Sequence, residues 1–152
     1  MEDVRQQTLK THNILRAKHG VAPLKLSDDL NVYAQSWSDT LLKNEVIKHS
    51  ECMLNGSRIG ENIAYRVSHQ PQDLTGQEAV MHWYEEMKDH DFESEDFDPK
   101  TAHFAQVVWK GTQELGVGKS KSLDNRKSFI VCNYRPPGNL LGQIINNVSR
   151  AQ

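Results

Sequence analysis

The sequence predicts an α+β fold in which helices pack on a small, largely antiparallel sheet. Three observations carry this. Helix-period patterns fill the early part of the chain. A strand hairpin comes late, with one isolated strand before it. The strands do not alternate regularly with helices, which argues against a parallel Rossmann-like sheet. At 152 residues the chain has the length of one domain, able to bury about 70% of the surface its unfolded form exposes. Residues 1–152 are therefore expected to form a single domain.

Residues 3–19 read as a first helix, with Val4, Ile14 and Leu15 among polar residues and Gly20 as the stop. Pro23 breaks the pattern. Ser27 follows as a candidate N-cap, with Asp28 and Asp29 in the first turn, where the helix dipole favours carboxylates. Leu30, Tyr33, Ala34, Trp37 and Leu41 then recur at helical spacing and predict a second helix. Residues 45–58 are irregular. In "IGENIAYRV", Ile63, Tyr65 and Val67 share one side, which suits a short strand. After a loop at Pro71, "TGQE" (75–78) is a capping box ahead of "AVMHWYEEMK", the third helix. "TAHFAQVVWKGT" (101–112) makes a shorter fourth, with Phe104, Val107, Val108 and Trp109 to bury. "LGVGKSKS" and "SFIVCNYRP" are the two hairpin strands across the polar "LDNRK". "PPGN" is a turn, and the tail "LLGQIINNV" is a short helix or a docking segment.

The composition excludes several roles. The formal net charge is −2, with no basic stripe, so nucleic acid is not an expected partner. The same balance argues against strong attachment to anionic membranes. The acidic run "DHDFESEDFDP" (89–99) reads as a solvated loop, with a hard-cation site as the alternative. The start lacks a signal-peptide core, and nothing later is long enough to span a bilayer. Position 2 is Glu, so the glycine that myristoylation needs is absent. Two cysteines, Cys52 and Cys132, are too few for a disulfide framework and suit a reducing compartment. The expected setting is intracellular. The alternative is a mature secreted domain, in which case the sequons at Asn55 and Asn147 become acceptors.

Four residues stand out as chemistry. Glu86 lies seven positions after Ala79, so it points nearly with the apolar stripe of Ala79, Trp83 and Met87, while Glu85 points to solvent. A carboxylate at that edge needs a cation or donors, or it must snorkel to water. His103 sits in the first turn of the fourth helix, whose N-terminus favours the neutral imidazole; it is either a satisfied structural histidine or a ligand. His49, in "IKHSEC", and Glu61, in "GEN", lie in or beside irregular backbone, where functional groups concentrate. The other histidines (12, 19, 69, 82 and 90) read as surface or helix-face residues. No H-E-x-x-H spacing, G-x-S-x-G elbow or phosphate loop is present.

Several segments, in order over nearly the whole chain, carry a resemblance. "GENIAY" (60–65), "HFAQVVWKGT" (103–112) and "FIVCNYRPPGN" (129–139) resemble signature segments of the CAP superfamily of cysteine-rich secretory, antigen-five and group-one pathogenesis-related proteins; "IKHS" and "HWYEEMKD" resemble two more. Among its branches the chain is most similar to the intracellular, Golgi-associated plant pathogenesis-related proteins. The resemblance implies an α/β/α sandwich with a central antiparallel sheet flanked by helices. It also implies a cleft lined by His49, Glu61, Glu86 and His103, in which the two imidazoles bind a divalent metal, zinc first, and the glutamates orient waters or hold the outer imidazole nitrogens. It implies a non-enzymatic domain that binds lipid, sterol or a protein partner, with a homodimer among its forms and at most peripheral membrane contact. The alternatives are a zinc-dependent hydrolase with Glu61 or Glu86 as general base and a scaffold with a vestigial site. The chain departs from the intracellular branch in being neither basic nor myristoylated, and from secreted members in lacking their other cysteines. Cys52 and Cys132 are expected as free, chiefly buried thiols.

Overall fold

The structure, a computed structural model, describes residues 3–152. The elements run α1 (Val4–Lys18), β1 (Lys25–Leu26), α2 (Asp28–Asn44), β2 (Met53–Leu54), β3 (Ser57–Arg58), β4 (Gly60–Val67), α3 (Gly76–Tyr84), a 3₁₀ turn (Glu85–Asp89), α4 (Ala102–Val107), β5 (Glu114–Lys121), β6 (Lys127–Arg135) and α5 (Ile144–Asn147). The central sheet has the order β1-β5-β6-β4, antiparallel except for the two-residue parallel pairing of β1 with β5. Helix α2 packs on one face, and α1, α3 and α4 occupy the other. This is the α/β/α sandwich.

Strand β6 is the spine, because both its faces are covered. Ile130, Cys132 and Tyr134 join the larger core with Leu15, Trp83 and Phe104, while Phe129 and Val131 pack against Ala34 and Leu41 of α2. A run that is apolar on every residue, as in "FIVC", is what a strand buried on both sides requires. Strand β5 alternates differently. Leu115 and Val117 face the larger core, and Gly116 and Gly118 face α2. A Cβ at Gly116 would lie 2.2 Å from the Leu30 carbonyl carbon, and one at Gly118 2.3 Å from the Gln35 backbone nitrogen. The missing side chains let α2 rest its backbone on the strand. Asn31 and Gln35 then reach the β5 backbone: Val117 N donates to Asn31 Oδ1 (2.8 Å), and Gln35 Nε2 donates to the Lys119 carbonyl (2.7 Å). These contacts, with Arg5 Nε donating to the Val117 carbonyl (3.0 Å), close an edge that β1 is too short to cover.

Several sequence expectations are corrected. On α1, Ile14 is exposed, and the buried set is Thr8, Thr11, His12, Leu15 and Arg16. His12 and His19 are core residues, and His90 is half-buried against Phe92 and Phe104. Polar groups sit inside α1 because each finds a fixed partner. His12 Nδ1 donates to the Thr8 carbonyl (2.9 Å), and its Nε2 accepts from the Tyr134 hydroxyl (2.8 Å). Arg16 donates to the carbonyls of Ala22, Val107, Trp109 and Thr112 at 2.8–3.1 Å, neutralising the carbonyl end of α4. On β4 the buried residues are Asn62 and Ala64, while Tyr65 and Val67 are exposed, because α2 lies mainly over β5 and β6 and β4 is the outer strand. The third helix ends at Tyr84 and tightens into the 3₁₀ turn, and α4 closes at Val107, short of residue 112. Ser27 occupies the N-cap position, but its hydroxyl goes to Asp29 instead of the backbone. Residues 45–58 contain the small β2–β3 hairpin. Residues 89–99 are a mostly exposed loop. The tail docks, with Ile144 and Val148 buried in the larger core.

Candidate functional site

Strand β4 lies at the sheet edge, and its successive side chains point to opposite faces. Glu61 falls on the α2 side, across from Asn133; Asn62 falls on the α1/α3 side, across from Cys132. One strand thus organises two half-sites.

The first half is built from the loop before β2. His49 Nδ1 donates to Glu61 Oε1 at 2.8 Å. The same oxygen accepts from Ser50 N (2.9 Å), and Oε2 accepts from Ser50 Oγ (2.6 Å) and Asn133 Nδ2 (3.1 Å). The Glu61 side chain is 1% exposed and that of His49 60%. Burial opposes the charge on Glu61, but the donors from His49, Ser50 and Asn133 outweigh it and hold its carboxyl below the ordinary range. The Glu61 hydrogen bond in turn raises the His49 imidazole, against a smaller effect of burial. Cys52 is half-buried beside them, a correction to the expectation of a chiefly buried thiol, while Cys132 is fully buried; both are free. Burial, then the Glu61 charge, push the Cys52 thiol up.

The second half joins the 3₁₀ turn to α4. His103 Nδ1 donates to Glu86 Oε2 (2.9 Å), and Phe104 N donates to Glu86 Oε1 (3.0 Å). Glu86 is half-buried while Glu85 is exposed. The His103 ring stacks on Trp83, with centroids 6.1 Å apart and planes 15° apart. Beneath it, Asn62 Nδ2 donates to the His103 carbonyl (3.2 Å) and to the Tyr134 hydroxyl (3.3 Å), which donates to His12. A buried polar chain from α1 therefore supports the backbone of His103.

His103 borders two hollows. One, of about 670 Å³, lies between β4 and α3 and includes Tyr65, Leu74, Trp83 and Glu86. The other, of about 340 Å³, includes His49, Cys52, Glu61 and Asn139. His49 and His103 thus line one cleft, and each imidazole holds a carboxylate through Nδ1.

The Cys52 contribution was not foreseen, nor were those of Ser50, Asn133 and the Asn62–Tyr134–His12 chain. "HSEC" places a thiol three residues after His49, the one readable signal; the others depend on strand register. His49, Cys52 and Glu61 present donor atoms within 4.8 Å of one another, a group able to hold a metal ion.

A sandwich of this topology, with two histidine–carboxylate pairs whose imidazoles line one cleft at the sheet edge while Glu86 borders the neighbouring hollow, defines a class of protein as well as a site. The sequence profile of the Cysteine-rich secretory protein family (CAP) matches residues 9–134, and the chain belongs to that family. It is 41% identical over 137 residues to Golgi-associated plant pathogenesis-related protein 1 of Homo sapiens, covering 90% of this chain and 85% of that protein. It spans less than half the length of the fungal relatives it matches. Among solved structures, BmVAL-1 aligns at a TM-score of 0.74 with 26% identity, over 91% of this chain and 79% of that one. The structure of NaASP2 with Zn²⁺ aligns at 0.77 over 100% of this chain and 87% of that one; at 21% identity this likeness shows the fold alone.

Proposed function

We propose that the chain is a single CAP domain, residues 1–152, that binds a divalent metal, zinc first, in the cleft between His49 and His103, and that it acts as a binding protein and not an enzyme. One observation carries this reading: both imidazoles line the same cleft, and each spends Nδ1 on a carboxylate, at 2.8 Å and 2.9 Å. A carboxylate on one ring nitrogen fixes the tautomer that offers the other nitrogen to a metal. The donor set fits zinc, with Glu61 and Glu86 as the orienting carboxylates. Bound there, zinc would polarise a ligand or a water as a Lewis acid. The hydrolase alternative needs a carboxylate ready to take a proton. Glu61 is a poor candidate, since four donors fill its oxygens and hold it ionised.

The wider reading is binding of a lipid, a sterol or a protein partner, as a homodimer, in the cytoplasm or at the Golgi membrane periphery. The Golgi-associated relative supports the location. No described helix is long and apolar enough to cross a membrane.

Zinc titration by calorimetry tests the metal. Saturable heat is expected for the wild type and not for the His49→Ala/His103→Ala double variant. Absence of saturable heat in the wild type, or its survival in the double variant, would refute the assignment. Flotation with neutral and acidic liposomes tests the lipid reading, and sedimentation tests the dimer.

A further inference from the structure

The half-site around His49 holds a donor that the two histidine–carboxylate pairs leave unused. Cys52 sits in left-handed backbone, with φ at 55°, a conformation uncommon for a residue other than glycine. Its N–H is held by the hydroxyls of Tyr33 (3.0 Å) and Ser50 (3.1 Å). The thiol is therefore presented from a fixed point. It borders the same cleft as His49 and Glu61. Among the described residues, no other set of three His, Cys, Asp or Glu side chains brings its donor atoms so close together, the acidic run 89–99 included.

We propose that Cys52, as a thiolate, joins His49 and Glu61 in a three-donor site for a thiophilic divalent cation such as zinc, leaving a fourth position open toward the cleft. This rests on the reading that the cleft takes a metal, and it changes which residues hold the ion: Cys52 becomes a ligand, and His103 becomes dispensable for binding.

The chemistry is selective. Calcium and magnesium take oxygen donors, whereas one thiolate with one imidazole favours zinc or cadmium. Donors around a tetrahedral zinc stand about 3.3–3.6 Å apart, so the cluster must contract from its span of 4.8 Å. Two features allow this. The His49 ring is 60% exposed and tethered through its Glu61 hydrogen bond, so solvent leaves it room to turn. The Ser50 hydroxyl, which occupies Glu61, has the Tyr33 hydroxyl 2.9 Å away as another partner. On binding, the ion replaces the thiol proton, which leaves to solvent. Three protein donors and an open fourth position would leave room for a water or an anionic ligand group.

The test is a cadmium titration of metal-free protein, followed together by calorimetry and by the ultraviolet thiolate-to-metal charge-transfer band. The wild type and His103→Ala should both develop the band at one equivalent. Cys52→Ser should lose the band and bind at least ten-fold more weakly; it keeps the backbone N–H bonds to Tyr33 and Ser50 and so should fold. Excess magnesium or calcium should not compete. Heat without a band, or a band that survives in Cys52→Ser, would overturn the role of Cys52 while leaving metal binding in the cleft intact. That outcome would reduce the cluster to a hydrogen-bond network fastening the loop to β4. Absence of heat in the wild type would overturn the metal reading itself.

Discussion

Lowering the pH from 7 to 5 should cost the fold about 2 kcal/mol through His12 alone. The ring is fully buried. Burial is the largest influence on it and, despite the hydrogen bond to the Thr8 carbonyl, lowers its pKa from 6.5 to about 4. The unfolded chain therefore takes up a proton first. The stabilisation by neutral His12 is complete above the ordinary histidine range and drains away as the pH falls from 6.5 toward 4. Applying those two values gives a loss of about 2 kcal/mol between pH 7 and 5, and about 3 kcal/mol by pH 4. The partners explain why the folded state resists protonation. Nδ1 already donates to a carbonyl and Nε2 accepts from Tyr134, so an added proton at Nε2 would face a donor and sit unsolvated beside Arg16. The assay is urea unfolding of the wild type and His12→Gln at both pH values. Other titrating groups contribute to both proteins and cancel in the difference. The wild type should lose about 2 kcal/mol more than the variant. Equal losses would refute the argument, as would a His12 ring signal that titrates near pH 6.5 in the folded protein.

Three further expectations follow from the same packing. Arg16→Met should destabilise by about 3–5 kcal/mol in denaturant unfolding, because it strands the buried carbonyls of Val107, Trp109 and Thr112; a loss under 1 kcal/mol would mean that water replaces the guanidinium. Gly118→Ala should cost about 1–3 kcal/mol or more, since its Cβ meets the α2 backbone and no rotamer change can relieve that; thermal unfolding reads it. Glu61→Gln should lower the His49 pKa toward its ordinary value, seen by NMR titration. The pair stabilises the fold below the ordinary histidine range, and that contribution fades as the pH rises through the raised value. With His49 60% exposed, it amounts to less than about 1 kcal/mol.

Much of this protein was determined locally and could be read from the chain. The capping box at Thr75–Glu78, the stripe from Leu30 to Leu41, the Gly20 stop and the late hairpin all depend on neighbours a few residues away. Periodicity reports such features directly. It also separated Glu86 from Glu85. Tertiary structure decided the rest, because the deciding partners lie far along the chain. His12 meets Tyr134 across 122 residues, and Arg16 meets the end of α4 across more than 90. A histidine on α1 looks like a surface residue until its partner arrives, so hydropathy alone misplaced His12, and it gave no sign that Arg16 would be buried. The same holds for the cleft. The sequence held two histidines and two glutamates as separate candidates, and Cys52 only as a free thiol. Only the edge position of β4, with Glu61 and Asn62 facing opposite sides, distributes them into two pairs and brings a thiol beside one of them.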